Sequence, residues 1–195
     1  MLLRRLARLW RADDGLPPSA DLIVAISFGA SKEGLSKASQ RVLARARWLR
    51  RKFPKALVAF GAHHLPDPVR EAGAKLIVFP DAVYAGATIS SIDEAEKIRS
   101  ALPANFTPTS IVVVTEAWHS RSARFVWRRV WRNNGPAINI STIRLPKDPE
   151  NPMRFQRSEK IWAVANVLRH AVLIFPGGYS FLKKTRIRQP TSGPS

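Results

Sequence analysis

Short continuous apolar runs recur along this chain, each followed by a polar or glycine-bearing turn and then by a longer stretch with helical spacing of its apolar residues. Leu22–Ile26, Ala56–Phe60, Lys75–Phe79 and Ile111–Val114 are the runs. Strands covered on both faces read in this unbroken way, whereas half-exposed strands alternate. Ile138–Ile143 does alternate and is expected as an edge or half-exposed strand.

The intervening stretches carry helical stripes. Val42, Ala46, Leu49 and Phe53 line up over Ser39–Phe53, which Pro54 ends. Pro66–Gly73 reads as a short helix, and a loop is expected from Pro80 to Thr88. Ile92, Ala95, Ile98 and Leu102 form the next stripe, opened by Ser91-Ile92-Asp93-Glu94, a capping-box pattern. Ala123, Val126, Trp127 and Val130 are the buried side expected over Arg121–Trp131, and Ser158–Phe175 is the last helix of the domain. Strand alternating with helix predicts an α/β fold: a three-layer α/β/α, Rossmann-like domain with a mostly parallel sheet of about five strands. Crossovers are then right-handed, and every strand-exit loop gathers at one edge of the sheet, where ligands bind in this architecture.

The expected organisation has three parts. Residues 1–18 form a basic amphipathic helix (Leu2, Leu3, Leu6, Leu9 and Trp10 among Arg4, Arg5, Arg8 and Arg11) and a linker. Residues 19–178 are the α/β domain, and residues 179–195 are a basic tail expected to be disordered. The first helix either docks on the domain's own surface or lies on an anionic membrane.

Composition adds one strong signal. Lys and Arg number 32 against 14 Asp and Glu, a formal charge of +18 in 195 residues. That balance favours anionic partners. Nucleic acid is the less favoured of them, because none of the standard nucleic-acid-binding motifs is present. With no Cys there is no disulfide, thiolate metal site or Cys nucleophile. The adjacent His63 and His64 are not expected to bind metal, since neighbours on a strand point to opposite sides and no third ligand stands at a familiar spacing. No apolar run is long enough to span a bilayer, and Met1–Trp10 is too short and Arg-interrupted for a signal peptide, so a cytoplasmic or membrane-peripheral location is the expectation.

Candidate chemistry lies in the exit loops. Ser27, Phe28 and Gly29 follow the first run; Gly61, Ala62 and His63 follow the second; Thr88, Ser90, Ser91 and Asp93 surround the start of one helix; Thr115, Glu116, His119 and Arg121 follow Ile111–Val114. Together they predict a pocket for an anionic small molecule, with hydroxyl donors, helix N-termini and Arg121 as anion contacts. His119 is the acid–base candidate, because its ordinary pKa lies near neutrality, and Asp93 or Glu116 is expected to orient it. No cofactor is indicated.

The stretch Thr115-Glu116-Ala117-Trp118-His119-Ser120-Arg121-Ser122-Ala123 resembles the pattern T-S-x-[YF]-H-x-x-R-A of the YdcF/SanA-like family, a domain of unknown function. Ser122 stands where that family has Arg. Thr88–Ala95 is similar to its S-x-N-T-x-E-N-A, with chemical types kept more than identities. The likeness runs from about Asp21 to Phe175 and marks a divergent member. It implies a Rossmann-like fold, a phosphorylated or nucleotide-like ligand, and a connection to cell-envelope metabolism. The alternative from composition is a non-catalytic basic module on anionic membrane.

Overall fold

Strand β1 (Leu22–Ala25) has no polar side chain, and it occupies the centre of a five-stranded sheet, with a parallel strand on either side and all four residues buried. The computed structural model describes residues 2–31, 34–63, 83–88, 90–132, 135–144, 146, 148–151 and 153–187. Around β1 stand β4 (Leu57–His63), β5 (Val83–Thr88), β6 (Ser110–Glu116) and β7 (Ala137–Ile143). The order is β5-β4-β1-β6-β7 and every pairing is parallel. β2 (Ala30–Ser31) and β3 (Gly34–Leu35) form a separate small antiparallel ribbon.

Helices cover both faces, so the fold is a three-layer α/β/α sandwich of Rossmann-like type. α2 (Lys37–Lys52) packs on β1, β6 and β7 through Val42, Ala46 and Leu49. α3 (Ser91–Ala101), α4 (Ser120–Val130) and α5 (Glu159–Ile174) pack in succession, α3 against β4 and β5, α4 against β6 and β7. A 3-10 turn (Arg154–Arg157) leads into α5, and α6 (Gly178–Ile187) follows it. The chain runs outward from β1 to β4 and β5, returns to β6 beside β1, and continues to β7. The direction therefore reverses between β1 and β6, and the ends of those two strands flank the crevice where such sheets take ligands.

Three expectations from the sequence change here, and two more fall on residues outside the described ones. The segment before Thr88 contains a strand, β5, where a loop was expected. Its Gly86 and alanines dilute the apolar signal, and pairing to β4, through a register shift between Phe60 and Ala62, supplies what the side chains do not. The expected strand Lys75–Phe79 and helix Pro66–Gly73 lie outside the described residues. The expected tail begins as helix α6, because Tyr179 and Leu182 pack on the core and the Lys183 Nζ reaches Glu96 Oε1 at 2.7 Å; residues 188–195 lie outside the description. The cap of α3 is Ser90 rather than Ser91: Ser90 Oγ accepts the Asp93 N–H at 3.2 Å, which leaves the Ser91 and Glu94 side chains for other work.

α1 (Leu2–Trp10) docks on the domain. Its Trp10 indole donates to the Trp118 carbonyl at 2.9 Å, and the linker beyond is tied to α4 and β7: Ala12 N–H to Ser120 Oγ at 2.8 Å, Ile140 N–H to Asp14 at 2.9 Å, and an Arg124–Asp14 ion pair. Leu9 remains 76% exposed.

Candidate functional site

The crevice between β1 and β6 is shaped by their exits. After β1 the chain turns at Gly29, whose φ of 95° favours glycine. Phe28 folds inward, its N–H donating to Ser39 Oγ and its carbonyl accepting from Ser36 Oγ, both at 2.9 Å. After β6 the buried Glu116 carboxylate shapes the turn. Its Oε2 accepts the N–H groups of Trp118 (2.8 Å) and His119 (3.3 Å) and the Trp162 indole N–H (2.6 Å). Burial raises the Glu116 pKa to about 7 against the pull of those bonds.

That turn delivers His119, almost fully buried, to the N-cap position of α4, where its ring meets Phe28 edge-on at 5.8 Å. Nδ1 lies 2.8 Å from Asn166 Oδ1 on α5, and Nε2 lies 2.9 Å from Ser91 Oγ on α3. The Asn166 amide is oriented by its own Nδ2, which donates to the Trp162 carbonyl at 2.8 Å. An oxygen therefore faces Nδ1, so Nδ1 carries the imidazole proton and Nε2 is the lone-pair acceptor for the Ser91 hydroxyl. Arg169, one turn beyond Asn166, donates to Ser91 Oγ at 3.3 Å. Desolvation first, and then the Arg169 charge, press the His119 pKa down to about 3, against the Asn166 bond, so the ring is neutral near pH 7. Hydroxyl, base and orienting group in series is the arrangement that activates a serine nucleophile.

Glu94, also buried, bridges the neighbouring exits by accepting the Ser27 N–H (3.0 Å) and the Gly61 N–H. Burial raises its pKa to about 8, more than those two bonds lower it. Gly61 is needed there: a Cβ would stand 2.7 Å from Thr88 Cγ2 and 3.3 Å from Glu94 Cγ. On the other side of the relay, Ser90, Asn166 and Arg169 form one wall of a cavity of about 310 Å³. Its remaining lining is largely apolar, with Phe155 stacked on Trp162 at 5.6 Å.

The residues expected at the site are thus sorted. Ser91, His119 and, through backbone or capping contacts, Ser27, Phe28, Gly29, Gly61, Ser90 and Glu116 converge on these strand ends. Thr88 and Thr115 are buried, and neither hydroxyl has a hydrogen-bond partner among the described residues. Ala62 and His63 take backbone positions in β4, opposite Ala87 and Thr88. Neither Asp93 nor Glu116 orients the His119 ring: Asp93 pairs with Lys97 at 3.1 Å, Glu116 holds the turn's backbone, and Asn166 takes the role. Arg121 is engaged elsewhere, donating to the Trp10 carbonyl at 2.6 Å with its guanidinium over the Trp10 ring. Asn166, Arg169 and Glu94 were not foreseen. Two signals mark them: polar residues on the inward side of an apolar helix, and a carboxylate on the same stripe as Ser91, Ala95 and Ile98.

Among the described residues no group of His, Cys, Asp or Glu is placed to hold a metal ion. The chain matches no family model, no curated protein and no solved structure.

Proposed function

We propose that this chain binds a phosphorylated small molecule beside Arg169 and transfers its phosphoryl group through Ser91. The observation that carries the reading is the buried series Asn166–His119–Ser91, held at 2.8 and 2.9 Å next to a cavity walled by Arg169. In the first step Ser91 Oγ bonds to phosphorus as its proton passes to His119 Nε2, and the leaving oxygen takes that proton as the P–O bond breaks. Water then attacks the phosphoserine by the same route in reverse, releasing phosphate and restoring the hydroxyl.

Arg169 has two parts in this. Its guanidinium matches a phosphate in shape and charge. Its positive charge also lowers the basicity of His119 in the free protein. An anion against Arg169 offsets that charge, so substrate binding itself raises the His119 pKa toward the range where a general base is effective. The stacked Phe155 and Trp162 suit a flat organic group such as a nucleobase, and the charge of +18 draws in anions. The resemblance to the YdcF/SanA-like family supports a nucleotide-like ligand and a place in cell-envelope metabolism.

Thermal shift with a panel of nucleotides and sugar phosphates, alongside hydrolysis of p-nitrophenyl phosphate, tests the reading. Stabilisation by a panel member is expected to be lost in Arg169→Gln. Turnover is expected to fall about 10²–10⁴-fold in Ser91→Ala and in His119→Ala. Stabilisation that survives Arg169→Gln, or turnover unchanged in Ser91→Ala, overturns it.

A further inference from the structure

Helix α5 is apolar on two sides. Trp162, Ala163, Asn166 and Leu173 face the protein interior. Ile161, Val164, Leu168, Val172 and Phe175, at steps of three and four, make a second continuous stripe that faces solvent. Leu168 is 62% exposed and Phe175 68%, and Phe181 of α6 extends the apolar surface past the turn. Single exposed apolar residues are ordinary, but an unbroken stripe along four turns of one helix marks a surface that meets another phase or partner.

The C-terminal end of this stripe abuts a strongly cationic hollow. Arg11 and five arginines between positions 121 and 132 surround a cavity of about 400 Å³, whose remaining wall includes His170 and Ile174 of α5 itself. Among the described residues two carboxylates pair with this ring, Asp13 with Arg11 and Asp14 with Arg124. The ring therefore keeps a surplus of positive charge beside the apolar stripe. The Trp10 ring meets His170 edge-on at 5.7 Å, which also brings the end of α1, with its exposed Leu9, to this region.

We infer that the outer face of α5, with the arginine ring at its C-terminal end, docks this chain on an anionic bilayer surface. An apolar helix face bordered by cations matches the acyl boundary and the headgroups together. A second copy matches it poorly, because self-association would bring two arginine rings and two charges of +18 together. The helix lies on the surface and does not cross it. No single described helix is long and apolar enough to span a membrane, and α5 and α6, which pass that test only as a pair, are bent by 117° at the break between them. The contact thus extends well beyond α1, and its Leu168 and Phe175 lie outside the lining of the cavity beside Ser91.

Flotation of the full chain with vesicles of phosphatidylcholine alone and of phosphatidylcholine with phosphatidylglycerol decides it. Wild type is expected to float with the phosphatidylglycerol vesicles. The pair Leu168→Glu and Phe175→Glu is expected to abolish binding, with far-ultraviolet circular dichroism unchanged because both side chains are exposed. Arg128→Glu with Arg132→Glu is expected to remove the preference for phosphatidylglycerol, and Leu9→Glu alone to reduce binding partially. No flotation of wild type, equal binding to both vesicles, binding that survives the α5 pair, or a solution dimer that the α5 pair dissociates would each overturn it. Hydrolysis of a soluble phosphoester by the α5 pair is expected at the wild-type rate, which separates this test from that of Ser91.

Discussion

His119 and Asn166 stand 47 positions apart in the chain and are joined by a 2.8 Å hydrogen bond between Nδ1 and Oδ1. Because the Trp162 carbonyl holds the Asn166 amide nitrogen, this one bond sets the His119 tautomer and turns Nε2 toward Ser91. The neutral ring with its proton on Nδ1 is the direct prediction. Two-bond proton–nitrogen correlation spectra are expected to show that pattern at neutral pH, with no titration near the ordinary histidine pKa. Arg169→Gln is expected to raise the His119 pKa while leaving it below the ordinary 6.5, because desolvation, the larger cause, remains. A wild-type ring that titrates normally would refute the assignment.

Glu94 makes stability depend on pH. Its pKa is about 8 in the folded chain against an ordinary 4.5, so between those values the folded state holds a proton that the unfolded state has released. Stability therefore falls as pH rises through that window. Glu116, at about 7, acts in the same direction over a narrower range. His119, at about 3 against 6.5, acts oppositely, and its contribution is lost as pH falls from 6.5 toward 3. Above 6.5, of these three, only the glutamates titrate differently in the two states. Urea midpoints measured from pH 6.5 to pH 8 are expected to decline for wild type and to decline less for Glu94→Gln.

Gly61→Ala tests the close approach of β4, β5 and α3. The added methyl would meet Thr88 Cγ2 at 2.7 Å, with the Glu94 side chain next to it. Relief requires movement of buried groups, so a loss of about 1–3 kcal/mol is expected, read as a lower urea midpoint at unchanged slope.

Arg121→Ala tests whether that side chain holds α1 rather than a ligand. Arg121 donates to the Trp10 and Leu9 carbonyls at the C-terminal end of α1, where a cation also complements the helix dipole. Limited proteolysis is expected to cut the variant faster near residues 11–16, with p-nitrophenyl phosphate hydrolysis unchanged. Unchanged cleavage alongside lost turnover would return Arg121 to the site.

The legible and illegible parts of this fold differ by how much each residue's surroundings depend on its neighbours in the chain. Leu22–Ala25 and Ile111–Val114 could be read directly, since burial on both faces demands unbroken apolar side chains. β5 could not, because Val83–Thr88 contains small residues and the half-exposed Tyr84, and it is a strand through backbone pairing to β4. At the site, His119 was recognisable from its place after a strand, and Ser91 from its place at the start of a helix. Their partners were not. Asp93 and Glu116 are closer to His119 or Ser91 in sequence than Asn166 is, yet the first turns outward to Lys97 and the second is consumed by backbone N–H groups.

By itself the sequence determined the alternation of strand and helix, hence the parallel three-layer sheet and the edge at which its exit loops collect, because those follow from short unbroken apolar runs alternating with stretches of 3.6-residue period. Tertiary structure decided what the periodicity leaves open. A helix apolar on both sides does not declare which side is core, and α5 chose the side carrying Asn166 and Arg169, leaving Leu168 and Phe175 outside. The state of His119 is likewise collective. Its neutrality comes from water excluded by Phe28 and Trp162, from the Arg169 charge and from the Asn166 oxygen, and these groups meet only when β1, β6, α4 and α5 are packed together.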